Sequence, residues 1–155
     1  MQTAKKATEI LVWVSICSLA GIFGAQFDPG SWYAMLQKPV WTPPNWIFPV
    51  VWPILYVMMG ISAWFVWKLE RTSLDQPAFL WFFLQLLLNA LWSWLFFGMN
   101  LIGTALAEIL LLWIAVVFTI FLFWQKSRVS GLLLIPYLLW MTYASALNMA
   151  IWQLN

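Results

Sequence analysis

Aromatic side chains recur at four-residue spacing along this chain, and little else in it could do chemistry. Phe48, Trp52 and Tyr56 fall on one face if their segment is helical. Gln85, Asn89, Trp92, Ser93 and Phe96 share a face by the same spacing, as do Pro136, Trp140, Tyr143, Ala144 and Leu147. Each set joins a Trp to at least one polar group. That composition suits a pocket in which a flat apolar ligand is held by ring stacking and a few hydrogen bonds. Acid–base and metal chemistry have few carriers. The chain has no His, which removes His general bases, Ser–His and Cys–His nucleophiles, His-ligated zinc and a proximal His on haem iron. A single Cys, Cys17, excludes an internal disulfide and a Cys-cluster metal site. No metal site and no required cofactor are expected.

The segments that carry these residues must lie in lipid. Of 155 residues, 65% are apolar, 19% aromatic and 8% charged, whereas soluble domains carry about 25% charged residues. A soluble core of this size could not hide so much apolar surface. Seven Lys/Arg against five Asp/Glu are too sparse for a nucleic-acid footprint. Five stretches are long enough to cross a bilayer, at about 7–26, 46–68, 78–98, 103–124 and 131–153. The expected architecture is therefore all-α: one domain over residues 1–155, an integral membrane bundle of five transmembrane helices. Lys5 and Lys6 precede the first stretch, but Gly21, Gly24 and Ala25 read as helix-packing residues rather than a cleavage site, so it is kept as a span. Asn45 is placed to cap the second helix, and Asp75 with Pro77 to open the third. With a cytoplasmic N-terminus, Lys5, Lys6, Lys68, Arg71, Lys126 and Arg128 lie inside and only Lys38 outside. That asymmetry predicts insertion in a cell membrane, read as bacterial, in this orientation.

The longest outer connection, about 27–45, is the least ordinary part of the chain. It places Trp32, Tyr33, Leu36 and Trp41 among Pro29, Pro39, Pro43 and Pro44. Prolines leave such a segment few conformations, and its apolar side chains need cover. It is either a lid over a cavity or a loop lying in the headgroups. Trp140 is near the membrane centre, where an interfacial belt cannot explain it. Trp67, Trp81, Trp124 and Trp152, near span ends, read as belt residues. Gln85, Asn89 and Asn148 could bond between helices without any ligand. Glu108 is the only charge well inside a span and is close enough to the outer face to snorkel or protonate. Gly103 and Ala107 would permit close helix contact, within the bundle or in a dimer.

Three segments carry a resemblance. The run W-Y-x-x-L-x-K-P-x-W-x-P-P-x-W from Trp32 to Trp46, N-x-x-W-S-x-x-F-F from Asn89 to Phe97, and P-Y-x-x-W-x-x-x-A-x-x-x-N from Pro136 to Asn148 together resemble the translocator protein / tryptophan-rich sensory protein family. The resemblance implies five membrane helices, a homodimer, and a pocket beneath the first loop for porphyrins such as protoporphyrin IX and other flat apolar ligands. Carried over, the pocket comprises Tyr33, Pro43, Trp52, Tyr56, Asn89, Trp92, Ser93, Phe96, Trp140 and Ala144; Phe48 and Tyr143 join it from the spacing. The resemblance also implies, for some members, light-dependent oxidative degradation of porphyrin, for which Trp52 and Trp140 are the candidate electron donors. A third alternative is a regulatory membrane partner without ligand turnover. The sterol pattern, Leu/Val then Tyr then Lys/Arg at short gaps, is met by no Tyr in this chain, so sterol binding by that motif is not expected.

Overall fold

The computed structural model describes residues 2–70 and 76–155. Six α-helices follow one another: α1 (Gln2–Gly24), the short α2 (Gly30–Met35), α3 (Phe48–Glu70), α4 (Pro77–Ser93), α5 (Ile102–Lys126) and α6 (Arg128–Leu154). Among the described residues there is no strand. Five helices are long and apolar enough to cross a membrane. The α2 helix lies within the outer connection.

The spanning helices close a ring in the order α1, α3, α6, α5, α4, with α4 returning to α1. Aromatic and aliphatic side chains fill its axis, with Met59, Phe82, Phe123 and Tyr137 essentially inaccessible. Glycine lets α1 close on α3. A Cβ on Gly60 would stand 2.6 Å from the Val14 Cα, and one on Gly21 would stand 2.3 Å from Tyr56 Cε2. Neither approach tolerates a side chain without a shift.

The helix ends differ from the expected boundaries in instructive ways. Asn45 does not cap α3; it opens a single 3-10 turn, Asn45–Ile47, that leads into Phe48. Pro77 begins α4 as its fixed φ favours, behind Gln76, while Asp75 and Arg71 lie outside the described residues. Residues Trp94–Gly98 form a π-helical turn. Asn100, at φ 57°, then turns the chain into α5, a left-handed conformation Asn tolerates. Only Ser127 separates α5 from α6, and its hydroxyl oxygen accepts from the Ser130 N–H as an N-cap.

The end-of-span tryptophans pack rather than merely girdle. The Trp152 indole nitrogen lies 2.9 Å from where a Gly103 Cβ would be, and Trp124 covers Gly131 in the same manner. Trp67 meets the Trp13 and Phe79 rings, and Trp81 stacks on Phe118 at 4.7 Å. The close contact that Gly103 permits is thus made within the chain, by α6.

Candidate functional site

Two of the predicted residues, Tyr56 and Asn89, form a bonded unit with Tyr137 on the ring axis. The Tyr56 hydroxyl donates to Asn89 Oδ1 at 2.8 Å, and Asn89 Nδ2 donates to the Tyr137 hydroxyl at 3.1 Å. This joins α3, α4 and α6 through side chains that are all buried. Trp52, one turn outward on α3, stacks on Tyr56 with ring centroids 5.4 Å apart and planes 23° from parallel. Trp92, on α4, stacks on Phe96 at 5.0 Å and donates its indole N–H to Asn148 Oδ1 at 3.0 Å. Asn148 in turn donates to the Ile102 carbonyl.

Between these aromatic pairs lies a gap of about 10 Å³ lined by Trp52, Asn89, Trp92, Ile109, Leu112, Met141 and Ala144. It is room for about one water-sized group, so the site is closed. Four predicted residues meet there: Trp52, Asn89, Trp92 and Ala144. Ser93 instead faces α1, where its Oγ would stand 2.8 Å from a Gly24 Cβ.

A second cluster roofs the gap. Tyr33 and Phe96 are buried with Ala105, Leu147 and Ile151, and Tyr33 meets the edges of Phe96 and Phe97 at 6.2 and 5.6 Å. The π turn widens the end of α4 so that both phenylalanines face Tyr33. Desolvation, and secondarily the neighbouring Tyr143, raises the Tyr33 phenol above its ordinary pKa. The Lys38 ammonium lies 4.5 Å over the Tyr33 ring and donates to the Tyr33 and Leu36 carbonyls, closing the end of α2. An open vestibule of about 460 Å³ beside α2 is lined by Asp28, Pro29, Gly30, Tyr33, Ala34, Lys38 and Asn45.

The strap of residues 36–44 is fastened at two points, to Asn155 at the end of α6 and to Tyr143 on it. The Asn155 side-chain amide accepts from the Gln37 N–H and donates to the Gln37 carbonyl, each at 3.0 Å. The Tyr143 hydroxyl donates to the Trp41 carbonyl at 2.8 Å, with the two rings edge to face at 5.6 Å. Tyr143 continues to Trp140 at 5.8 Å, and Trp140 to Phe48 at 5.8 Å. Phe48, Trp140 and Tyr143 therefore form a ring-to-ring chain beneath the strap, beside the gap. Pro43 is half-buried in the strap. The segment covers the bundle mouth, although Trp41 and Trp46 remain well exposed.

The profile of the TspO/MBR family matches residues 12–153. The chain belongs to this family. It is 42% identical to Protein CrtK of Rhodobacter capsulatus, over 96% of this chain and 93% of that one. It is 40% identical to the tryptophan-rich protein TspO of Chlorobaculum tepidum, over 97% and 98%. The human translocator protein shares 38% identity, over 89% and 85%. It is thus an integral, multi-pass membrane protein of the tryptophan-rich sensory and translocator kind.

Several site residues of this TspO/MBR chain were not singled out from the sequence. Tyr137 and Met141 stand on the inward face of α6 with Ala144 and Asn148, one residue around from the Trp140 and Tyr143 stripe. Their four- and three-residue spacing, with polar groups at both ends, was the available signal. Ile109 and Leu112 of α5 carry no signal at all. Glu108, read from the sequence as near enough to a span end to snorkel or protonate, is 5% exposed.

Proposed function

We propose that this protein binds porphyrins and other flat apolar molecules between the Trp52/Tyr56 and Trp92/Phe96 pairs, for sensing, regulation or transport. The observation that carries the reading is the convergence of two stacked aromatic pairs, from α3 and α4, on one gap whose polar neighbours are already bonded. Ring faces there would receive a macrocycle by offset stacking, and no free polar group of the bonded unit would oppose it. A macrocycle needs far more room than about 10 Å³, so binding separates Trp52 and Trp92 and loosens the strap. Relatives named as sensory and translocator proteins suit a chain that takes up a small molecule within the membrane.

The test is titration of the purified protein with protoporphyrin IX in lipid nanodiscs, followed by Trp quenching and the Soret band. Saturable quenching that Trp52→Ala weakens supports the reading; quenching no stronger than in empty nanodiscs overturns it. Illumination separates a second reading, oxidative degradation of the porphyrin by oxygen and light. The stacked Trp52/Tyr56 pair, with its phenol bonded to Asn89, suits an electron donor. Light-dependent loss of the Soret band that Trp52→Phe abolishes would assign that chemistry.

The same reading places the N-terminus in the cytoplasm of a bacterial cell. Lys5, Lys6, Lys68, Lys126 and Arg128 belong to one end of the ring, and Lys38 to the other.

A further inference from the structure

Near the gap, the hydrogen-bonding groups of Tyr56, Asn89, Tyr137, Trp92 and Asn148 bond one another or a backbone carbonyl. Glu108 does not follow the pattern. It is 5% exposed, and neither carboxylate oxygen has a hydrogen-bond partner among the described residues. On α5 it stands one turn outward of Leu112 and beside Ile109, both of which line the gap. It stands one turn inward of Ala105, which belongs to the roof cluster. Glu108 is therefore placed where the gap meets its roof.

Among the described residues no cation pairs with it. Lys5, Lys6, Lys68, Lys126 and Arg128 sit at the inner end of the bundle, and the ammonium of Lys38 is spent on strap carbonyls and the Tyr33 ring. A buried acceptor without a donor costs free energy, and inside a membrane such a group marks a functional contact by default. No described residue relieves Glu108, and a donor from a ligand could reach it through the adjoining gap.

We infer that Glu108 is the acceptor for a ligand nitrogen, and that the site favours flat aromatic molecules bearing an N–H donor, best a protonated amine. The inference rests on the aromatic pocket proposed above and adds to it a polar end with a defined preference. Stacking on Trp52 and Trp92 would hold the ring, and the carboxylate would select among rings of equal size. The same preference would reject a flat ligand that presents an acceptor edge towards α5, because two acceptors would then face each other.

The experiment compares 9-aminoacridine with acridine, the same three-ring plane without the amine, on the full chain in nanodiscs, with empty nanodiscs subtracted. A charge-assisted hydrogen bond should make wild-type protein prefer 9-aminoacridine by about tenfold to a hundredfold. Glu108→Gln, which keeps the volume of the side chain, should remove that preference. Equal binding of the two dyes by wild-type protein overturns the inference, and that comparison needs no variant to fold. A preference that survives in Glu108→Gln also overturns it. Protoporphyrin IX is titrated in parallel. If it binds while the dye preference is absent, the inference falls and the aromatic pocket stands; if neither porphyrin nor dye binds, both fall.

Discussion

Replacing Asn155 by Ala should speed ligand release without reaching the pocket. The Asn155 amide makes two hydrogen bonds to the backbone of Gln37, each at 3.0 Å, and its remaining bond, to Ile151 within α6, only orients it. A net hydrogen bond contributes about 0.5–1.5 kcal/mol, and this pair is exposed, so its loss should cost the fastened strap about 1–2 kcal/mol. At about 1.4 kcal/mol per factor of ten, the strap would open about 5- to 30-fold more often. Where opening gates release, the off-rate of protoporphyrin IX should rise by the same factor. Tyr143→Phe removes one bond, to the Trp41 carbonyl, and keeps the ring contact, so it should accelerate release by about 2- to 10-fold. Stopped-flow displacement measures both rates. Hydrogen exchange at the Gln37 amide reports on the fastening without any ligand, and should quicken in Asn155→Ala but not in Trp52→Ala. An off-rate within twofold of wild type, with the Gln37 amide exchanging faster, would refute the strap as a gate and leave it an interfacial anchor.

Other consequences are measurable with standard assays. Asn89→Leu strands the Tyr56 and Tyr137 hydroxyls and should lower stability by about 0.6–2 kcal/mol, read as the midpoint of unfolding in mixed detergent; an unchanged midpoint would show that the buried network contributes nothing. Trp52→Ala should weaken porphyrin binding more than Trp140→Ala, because Trp52 lines the gap and Trp140 packs beside it on Phe48. Trp124→Ala should spare binding but lower the thermal midpoint by uncovering Gly131; equal affinities for all three variants would contradict the placement of the gap. In a Cys17→Ala background, a cysteine introduced at Ser31 should react with an impermeant maleimide in spheroplasts. One introduced at Ser127 should react only after the membrane is opened, and the reverse pattern would invert the orientation.

The spans were legible because lipid demands runs of about 20 apolar residues, and the five runs appear where the sequence put them. Their ends were less so. Ser127 alone joins α5 to α6, since one hydroxyl suffices to cap the second helix, whereas the expected spans left residues 125–130 between them. Which side of each helix faces inward was harder still. In water, polarity marks the outside of a helix; in lipid both faces are apolar, and α5 gives Ile109 and Leu112 no mark that distinguishes them from its lipid-facing leucines. On α6 the large rings of Trp140 and Tyr143 drew attention to one face, while the axis is reached by Tyr137, Met141, Ala144 and Asn148. On α4, where polarity gave a mark, Asn89 and Trp92 lie at the gap. Ser93, a neighbour in sequence, turned to the small residue on α1.

The two glycines on α1 and α3 make the ring mechanically lopsided. Along that seam the Gly60 backbone meets the Val14 backbone and Gly21 lies beneath the Tyr56 ring, so the two helices are clamped close together. Across the gap, α4 and α6 meet through side chains, Trp92 to Asn148 and Asn89 to Tyr137, contacts that can part without moving a backbone. If the proposed guest enters between the aromatic pairs, these side-chain contacts are the ones free to part, as a book opens away from its spine. The strap is fastened to Tyr143 of α6 and to Asn155 just past its end, so occupancy within the bundle would be felt as a displacement of the strap.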